Sequence, residues 1–267
     1  MTSSRPSILC LHGSGTSAEI FQIQTIRLRR ELDAHFNFVF LDGPIEAAAG
    51  PGVLPVFEGL GPYRSWMPRQ VEDQRDPDSP CAVMPPETAA VLERAIQAEI
   101  ARNGRGFVGV MGFSMGARLA AGLLLDQQQK QKLEQQQDGG GQSEAGSDPQ
   151  RQQQQQQKKK TTADNHSFKF GIFVCGTLPP IQSLHPADET GIDATERYSK
   201  VDVPSLHVIG FDDPWYKEGD TLSSRHFDES ITKVFRFKMG HHFPINKEEN
   251  AMVINEIFKM EKEARSA

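Results

Sequence analysis

The chain has 267 residues, 37% of them hydrophobic, with a formal net charge of -6 at pH 7 and an isoelectric point near 5.8. This length and apolar content suffice for one substantial core, so the sequence predicts a single α/β domain over residues 1–267. The acidic balance argues against a nucleic-acid partner or an anionic membrane, since both require a basic surface.

The cysteine content and the N-terminus indicate the compartment. The chain has three cysteines, an odd number at distant positions, which is not the pattern of a disulfide framework or a metal cluster. The first apolar stretch, residues 8–11, is too short for a secretory signal, and no run approaches the roughly 20 apolar residues of a membrane span. We therefore expect a soluble, cytoplasmic protein with no membrane partner and no bound metal.

The first elements predict a parallel sheet. Residues 8–11 form a continuous apolar run, which is typical of a strand buried on both faces. A glycine-bearing turn, helical spacing over residues 20–32 and a second apolar run at residues 36–41 follow. This β-α-β order calls for parallel strands joined by a right-handed crossover.

Residues 42–86 contain so many prolines and glycines that no long regular element is expected. A loop of this length in a compact domain is usually functional, and this one carries apolar side chains that are costly to leave in water. One interpretation is a cover over the active site, with Tyr63 and Trp66 as candidates for contact with substrate. The alternative is an irregular region whose aromatic side chains fill the core. A helix is then expected from Pro86 to Asn103.

The centre of the chain predicts a strand, a tight turn and a helix. The apolar residues 107–113 lead into Ser114, which is flanked by Gly112 and Gly116, and small-residue helical spacing follows at residues 117–125. The pattern G-x-S-x-G at such a junction is typical of a nucleophile elbow, in which a strained turn exposes the serine hydroxyl above the sheet. The alternative is an ordinary turn whose serine only caps the helix.

A low-complexity segment follows at residues 127–164. It contains glutamine runs, a glycine triplet and a lysine triplet, with almost nothing to bury. We expect a disordered insertion that loops out of the domain. The alternative is a tract that mediates self-association.

Strands and helices alternate again to the end of the chain. Apolar runs predict strands at residues 170–175, 203–210 and 233–237, with helices near residues 220–227 and 253–258. Such alternation predicts a mostly parallel, doubly wound sheet with helices on both faces.

The predicted strand ends also carry an acid and a base. Asp212 and Asp213 follow one strand, and His241 and His242 follow the next, so both pairs come after Ser114 in the order that α/β-hydrolases use for a Ser-Asp-His triad. Asp213 is the favoured acid because it opens a turn before a proline. His241, directly after a glycine, is the favoured base.

The tetrahedral intermediate of acyl transfer needs hydrogen-bond donors for its oxyanion. The backbone N–H of Met115, directly after the serine, is one candidate, and that of Ser14 in the first strand-helix loop is the other. His12-Gly13 would shape this loop, although a plain turn explains the same residues. This chemistry requires no cofactor and no metal.

Short motifs across nearly the whole chain outside the glutamine-rich segment resemble the fungal serine hydrolase family: Leu11-His12-Gly13, Asp42-Gly43-Pro44, Gly61-Pro62-Tyr63-Arg64-Ser65-Trp66, Gly112-Phe113-Ser114-Met115-Gly116, His207-Val208-Ile209-Gly210 with Asp213, and Gly240-His241-His242-Phe243-Pro244. That family includes esterases and thioesterases of fungal polyketide pathways. The resemblance implies an α/β-hydrolase fold lacking the first two strands, with Ser114 as nucleophile, Asp213 as acid and His241 as base.

The resemblance also implies a substrate class. We expect a serine hydrolase that cleaves an acyl ester or a carrier-protein-bound acyl thioester, releasing or trimming a polyketide-type product, with a polyketide synthase as a possible partner. A general short-chain carboxylesterase is the alternative, since both reactions use the same triad. A catalytically silent α/β-hydrolase that binds a small molecule is the alternative from another class.

Overall fold

The structure, a computed structural model, describes residues 5–139, 166–183 and 200–266. Within these residues the strands are β1 (Ser7–Leu11), β2 (Asn37–Leu41), β3 (Ile45–Ala47), β4 (Tyr63–Ser65), β5 (Ala82–Val83), β6 (Phe107–Phe113), β7 (Phe170–Val174), β8 (Ile181–Gln182), β9 (Ser205–Gly210) and β10 (Thr232–Phe237). The main sheet has six strands in the spatial order β2-β1-β6-β7-β9-β10, and every neighbouring pair is parallel. This confirms the predicted α/β fold with a parallel sheet.

Helices cover both faces of this sheet. They are α1 (Ala18–Gln24), α2 (Ile26–Leu32), α3 (Arg69–Glu72), α4 (Pro86–Asn103), α5 (Met115–Gly139), α6 (Tyr216–His226) and α7 (Lys247–Ser266). None of them, within the described part of the chain, combines the length and apolar character needed to cross a bilayer.

The two apolar clusters follow from the alternation of side chains along β1. Leu9 and Leu11 point to one face, where they belong to a buried cluster with α4, α5 and α6. Ile8 and Cys10 point to the other face, where the cluster includes α1, α2 and α7. Since consecutive strand residues face opposite sides, a continuous apolar run is what a sheet covered on both faces requires.

Some helix bounds differ from the predicted ones. The helix predicted over residues 20–32 is divided at Thr25, whose hydroxyl donates to the Phe21 carbonyl at 2.8 Å. The helix expected near residue 220 begins at Tyr216.

The long helix α5 corrects one prediction. It continues to Gly139, so the expectation of disorder from residue 127 is wrong for residues 127–139. Glutamine is a good helix former, and Gln127 and Gln128 hydrogen-bond the backbone of Phe168 and Lys200, which extends the helix beyond its apolar part. The rest of the predicted insertion, residues 140–164, lies outside the described residues.

Buried histidines are expected to make the protein acid-sensitive. Burial lowers the pKa of His12 and His226 to about 4 and that of His207 to about 3. In an unfolded chain the pKa of histidine is about 6.5, so below that pH the unfolded chain binds more protons than the folded one. The free energy of unfolding therefore falls as the pH drops from about 6.5 towards 4, by about 2 kcal/mol per group at pH 5. Denaturant unfolding at pH 7 and pH 5 measures this loss.

Substitution of His207 tests how much one of these buried histidines contributes to the pH dependence of stability. The His207 ring stacks on Phe173 with centroids 4.6 Å apart, so His207→Phe keeps the aromatic contact and removes the titration. We expect its loss of stability between pH 7 and pH 5 to be smaller than that of the wild type by about 2 kcal/mol. Equal unfolding free energies of the wild type at both pH values would contradict the prediction.

Candidate active site

Ser114 lies in the tight turn between β6 and α5. Its φ of 55° is in the left-handed region, which a non-glycine residue adopts only where its surroundings hold it there. A Cβ on Gly112 would overlap the backbone of Gly116, and a Cβ on Gly116 would overlap the backbone of Leu11. The Ser114 amide donates to the Val174 carbonyl of β7 at 3.0 Å. The turn thus has the geometry of a nucleophile elbow at the carboxyl edge of the sheet.

An acid and a base meet beside this turn. Asp213 follows β9 and His241 follows β10, and His241 Nδ1 lies 2.7 Å from Asp213 Oδ2. The other carboxylate oxygen, Oδ1, accepts the Trp215 amide at 2.8 Å. The imidazole packs between Phe113 and Trp215, with ring centroids 4.9 Å and 4.7 Å away. These contacts hold the ring in one orientation.

The charge of the Asp213 carboxylate follows from its surroundings. Burial alone raises the pKa of Asp213, but the hydrogen bond and charge of His241 outweigh it and hold that pKa below its usual value. The carboxylate is therefore ionised and accepts the Nδ1 proton of His241. With Nδ1 bonded to Asp213, Nε2 is the ring nitrogen whose lone pair faces away from the carboxylate and can accept a proton.

His242 and Asp212, the other candidates for base and acid, make different contacts. His242 Nδ1 lies 2.8 Å from the Phe243 carbonyl oxygen, and its Nε2 lies 3.3 Å from the Gly240 amide, so this ring bonds within its own loop. The side chain of Asp212 points to solvent, whereas that of Asp213 is 2% exposed. Of these four candidate residues, only Asp213 and His241 form an acid–base pair.

Ser114 and His241 line one cavity of about 1320 Å³, together with Ser14 and Met115. Among the described residues, no hydrogen bond joins Ser114 Oγ to His241. Such contacts are often long without substrate and shorten when it binds.

The two oxyanion candidates come from different parts of the chain and line the same cavity as Ser114. Met115 is the first residue of α5, and the amides of a first helical turn have no acceptor within the helix. Ser14 lies in the β1–α1 loop, which His12 stabilises. His12 Nδ1 lies 2.6 Å from the Gly13 oxygen, and its Nε2 accepts the Gly43 amide at 2.9 Å. With its pKa lowered to about 4 by burial, His12 stays neutral and keeps both bonds.

The family described as "Serine hydrolase (FSH1)" matches residues 1–253. The chain belongs to this family. It is therefore a serine hydrolase, and the resemblance inferred from the motifs is confirmed.

Individual relatives agree with the family. "Esterase FUS5" of Gibberella moniliformis (strain M3125 / FGSC 7600) is 33% identical over 244 residues, covering 91% of this chain and 82% of that protein. "Thioesterase FSL2" of Gibberella zeae (strain ATCC MYA-4620 / CBS 123657 / FGSC 9075 / NRRL 31084 / PH-1) is 29% identical over 253 residues, covering 91% and 88%. Among solved structures, esterase PE8 has a TM-score of 0.55 at 16% identity, covering 97% of this chain and 94% of that one, which supports the fold.

The cavity of this serine hydrolase is largely apolar. Its lining includes Val53, Val56 and Phe57 from the segment between β3 and β4. Four of its members are well-exposed aliphatic side chains: Ile23 (44%), Ile26 (47%), Val56 (74%) and Ile245 (68%). Apolar side chains gathered at one opening are typical of a site that binds an apolar ligand.

The prediction that Tyr63 and Trp66 contact substrate is not supported. Neither residue lines the cavity. Trp66 is fully buried and donates its Nε1–H to the His12 carbonyl at 2.8 Å, while the Tyr63 hydroxyl donates to the Phe57 carbonyl at 2.9 Å. A buried indole N–H needs a partner, and the loop backbone provides it. Both interpretations of the loop thus apply in part: Trp66 fills the core, whereas Val53, Val56 and Phe57 line the cavity.

Part of the cavity wall is ionic. Arg118, fully buried in α5, donates to both oxygens of Glu72 at 2.7 and 2.8 Å. Arg75 donates to both oxygens of Glu218 at 2.8 and 2.9 Å and to the Leu178 carbonyl at 2.5 Å. Burial raises the pKa of Glu218, but Arg75 outweighs this and lowers it, so both members of the pair are charged. This network fixes the wall formed by Glu72 and Arg75.

Sequence reasoning missed some residues of this region. The sequence identifies Cys175 only as one of three cysteines and as the last residue of a predicted strand, yet its Sγ and ligand atoms of Asp213 and His241 all lie within 4.8 Å of one another. The sequence predicts only that Arg118 belongs to the helix that follows Ser114. The position of Cys175 at the end of a strand was the one indication that it lies near the site, and no motif marks it.

Proposed function

We propose that Ser114, His241 and Asp213 are the catalytic triad of this serine hydrolase. The observation that carries the proposal is the 2.7 Å contact between Asp213 and His241 at the cavity that Ser114 also lines. Ser114 Oγ attacks the acyl carbonyl while His241 Nε2 takes its proton, and His241 then protonates the leaving alcohol or thiol. In the second half, His241 takes a proton from the water that attacks the acyl-enzyme and then returns it to Ser114 Oγ, which leaves as the acid is released. Asp213 stabilises the imidazolium formed in each half.

The oxyanion of both tetrahedral intermediates would be stabilised by the backbone N–H groups of Met115 and Ser14. The position of Met115 at the start of α5 supports this, because amides at a helix N-terminus favour negative charge. All atoms that this mechanism moves belong to the protein, the substrate and water.

For the substrate we propose an ester or carrier-bound thioester with a large apolar acyl group of polyketide type. The cavity volume of about 1320 Å³ and its aliphatic lining support a large acyl group. The names "Esterase FUS5" and "Thioesterase FSL2" support the ester or thioester bond. A polyketide synthase is the partner that would supply such a thioester. A short-chain carboxylesterase would leave most of this cavity unfilled.

Active-site labelling tests the catalytic proposal. Folded protein treated with a fluorophosphonate probe is expected to carry the adduct on the peptide containing Ser114, and Ser114→Ala is expected to carry none. An unlabelled wild type with a normal unfolding transition would favour a catalytically silent binding protein. A label on another serine would refute the assigned nucleophile.

A substrate series tests the proposed acyl group. Acyl thioesters and p-nitrophenyl esters of matched chain length are compared by kcat/KM. The cavity predicts values that rise with chain length in both series, because each buried methylene contributes about 0.8 kcal/mol. A maximum at acetyl or butyryl esters would favour the general carboxylesterase instead.

A further inference from the structure

Cys175 lies beside the acid–base pair formed by Asp213 and His241. It follows β7, and its φ of 49° is left-handed, as is that of Ser114 after the adjacent strand β6. The Cys175 amide donates to the Val208 carbonyl of β9 at 2.9 Å. The side chain is 1% exposed, so Cys175 is held in an unfavourable backbone conformation at a buried position beside the site.

The thiol contacts the loop that carries His241. Cys175 Sγ lies 3.6 Å from the His242 carbonyl oxygen and 3.8 Å from the Gly240 carbonyl oxygen, which are the residues on either side of His241. These are hydrogen-bond distances for a sulfur donor. The same Sγ lies within 4.8 Å of ligand atoms of Asp213 and His241. One side chain thus contacts the loop on both sides of the base and lies close to the acid.

The protonation state decides what this thiol can do. Burial, together with the negative charge of Asp213, raises the pKa of Cys175 well above its usual value. The group is therefore a neutral S–H, which donates a hydrogen bond. A nucleophile or a metal ligand would need the thiolate, so neither role suits this position.

We propose that Cys175 is a positioning residue, whose S–H hydrogen bond and packing against residues 240–242 hold His241 facing both Asp213 and Ser114. The inference rests on the proposed triad. The left-handed backbone at Cys175 places the thiol beside the histidine loop, where its single S–H proton is within reach of the His242 and Gly240 carbonyl oxygens and of the Asp213 carboxylate. Without this donor the loop can shift, and a displacement near 1 Å at the base costs up to about 100-fold in rate.

The test compares two buried thiols of the same apolar cluster. Cys175→Ala removes the donor beside the site, while Cys10→Ala removes a fully buried thiol from β1 whose Sγ lies 3.8 Å from the Ile8 carbonyl. Cys175→Gly is the second deletion variant, because glycine adopts a left-handed φ without strain. Cys175→Ser keeps a donor at the same place. Each purified protein is assayed for kcat and KM on one p-nitrophenyl ester, and its melting temperature is recorded.

We expect Cys175→Ala and Cys175→Gly to lose about 10-fold in kcat with little change in KM, since the base is misplaced while the binding cavity is kept. Cys10→Ala is expected to lose comparable melting temperature and to keep its kcat. Cys175→Ser is expected to give an intermediate kcat. We expect a far-downfield proton resonance of His241 Nδ1 in the wild type and in Cys10→Ala, and we expect it to shift or broaden in the two deletion variants.

Two results would overturn the inference. One is a wild-type kcat and an unchanged Nδ1 resonance in Cys175→Gly. The other is an equal loss of kcat in Cys175→Ala and Cys10→Ala, which would indicate stability alone. Failure of the triad proposal is distinguishable, because it would show as absent probe labelling at Ser114 in the wild type.

Discussion

His241→Gln is expected to lower kcat by about 10⁶-fold, because removing the base of such a triad costs nearly as much as removing the whole triad. Glutamine has no nitrogen that can take the Ser114 proton at neutral pH. The physical basis is the fixed ring orientation, with Nδ1 bonded to Asp213 at 2.7 Å and Nε2 left for the proton. Single-turnover and steady-state hydrolysis of a p-nitrophenyl ester measure the loss.

The matched control is His242→Gln. His242 also lines the cavity, but both of its ring nitrogens engage the backbone of its own loop. A glutamine amide offers a donor and an acceptor to the same backbone groups, so this variant is expected to keep most of its kcat. If His242→Gln were the more damaging of the two substitutions, the assignment of the base would be reversed.

Asp213→Asn is expected to lower kcat by about 10⁴-fold with little change in stability. An asparagine amide at this position can donate to His241 Nδ1, which puts the ring proton on Nε2 and removes its ability to accept the serine proton. The loss should appear in kcat more than in KM, because the cavity walls are unchanged. Burst-phase and steady-state kinetics on the same ester separate the two parameters.

Asp212→Asn is the control for this substitution. The Asp212 side chain is exposed, and the hydrogen bond from this residue to the Met239 carbonyl, at 3.0 Å, comes from its backbone N–H. The substitution therefore removes only a solvated charge. We expect wild-type kcat. A comparable fall in both variants would show that the loop, and not the Asp213 carboxylate, is what the reaction requires.

The parallel sheet and the elbow could be predicted because their signals are local. Continuous apolar runs encode strands covered on both faces, and glycines at positions 112 and 116 are required where strand and helix backbones approach. Residues 127–139 were misjudged because glutamine runs suggest disorder by composition, although glutamine also extends an existing helix. For Tyr63 and Trp66 the sequence leaves contact with substrate and burial in the core both open, because an aromatic side chain in a loop has the same signature whether it faces a ligand or the core.

By itself, the sequence determined the fold class, the family and the chain order of serine, acid and base, since each depends on short patterns of apolar, glycine and charged residues. Only the tertiary structure shows that Asp213 contacts His241 while Asp212 and His242 make other contacts, and which loop side chains face the cavity. It also brought Cys175 beside the histidine loop. The physical reason is that hydrogen bonds and burial at the carboxyl edge of a sheet depend on atoms from distant parts of the chain, which no local pattern records.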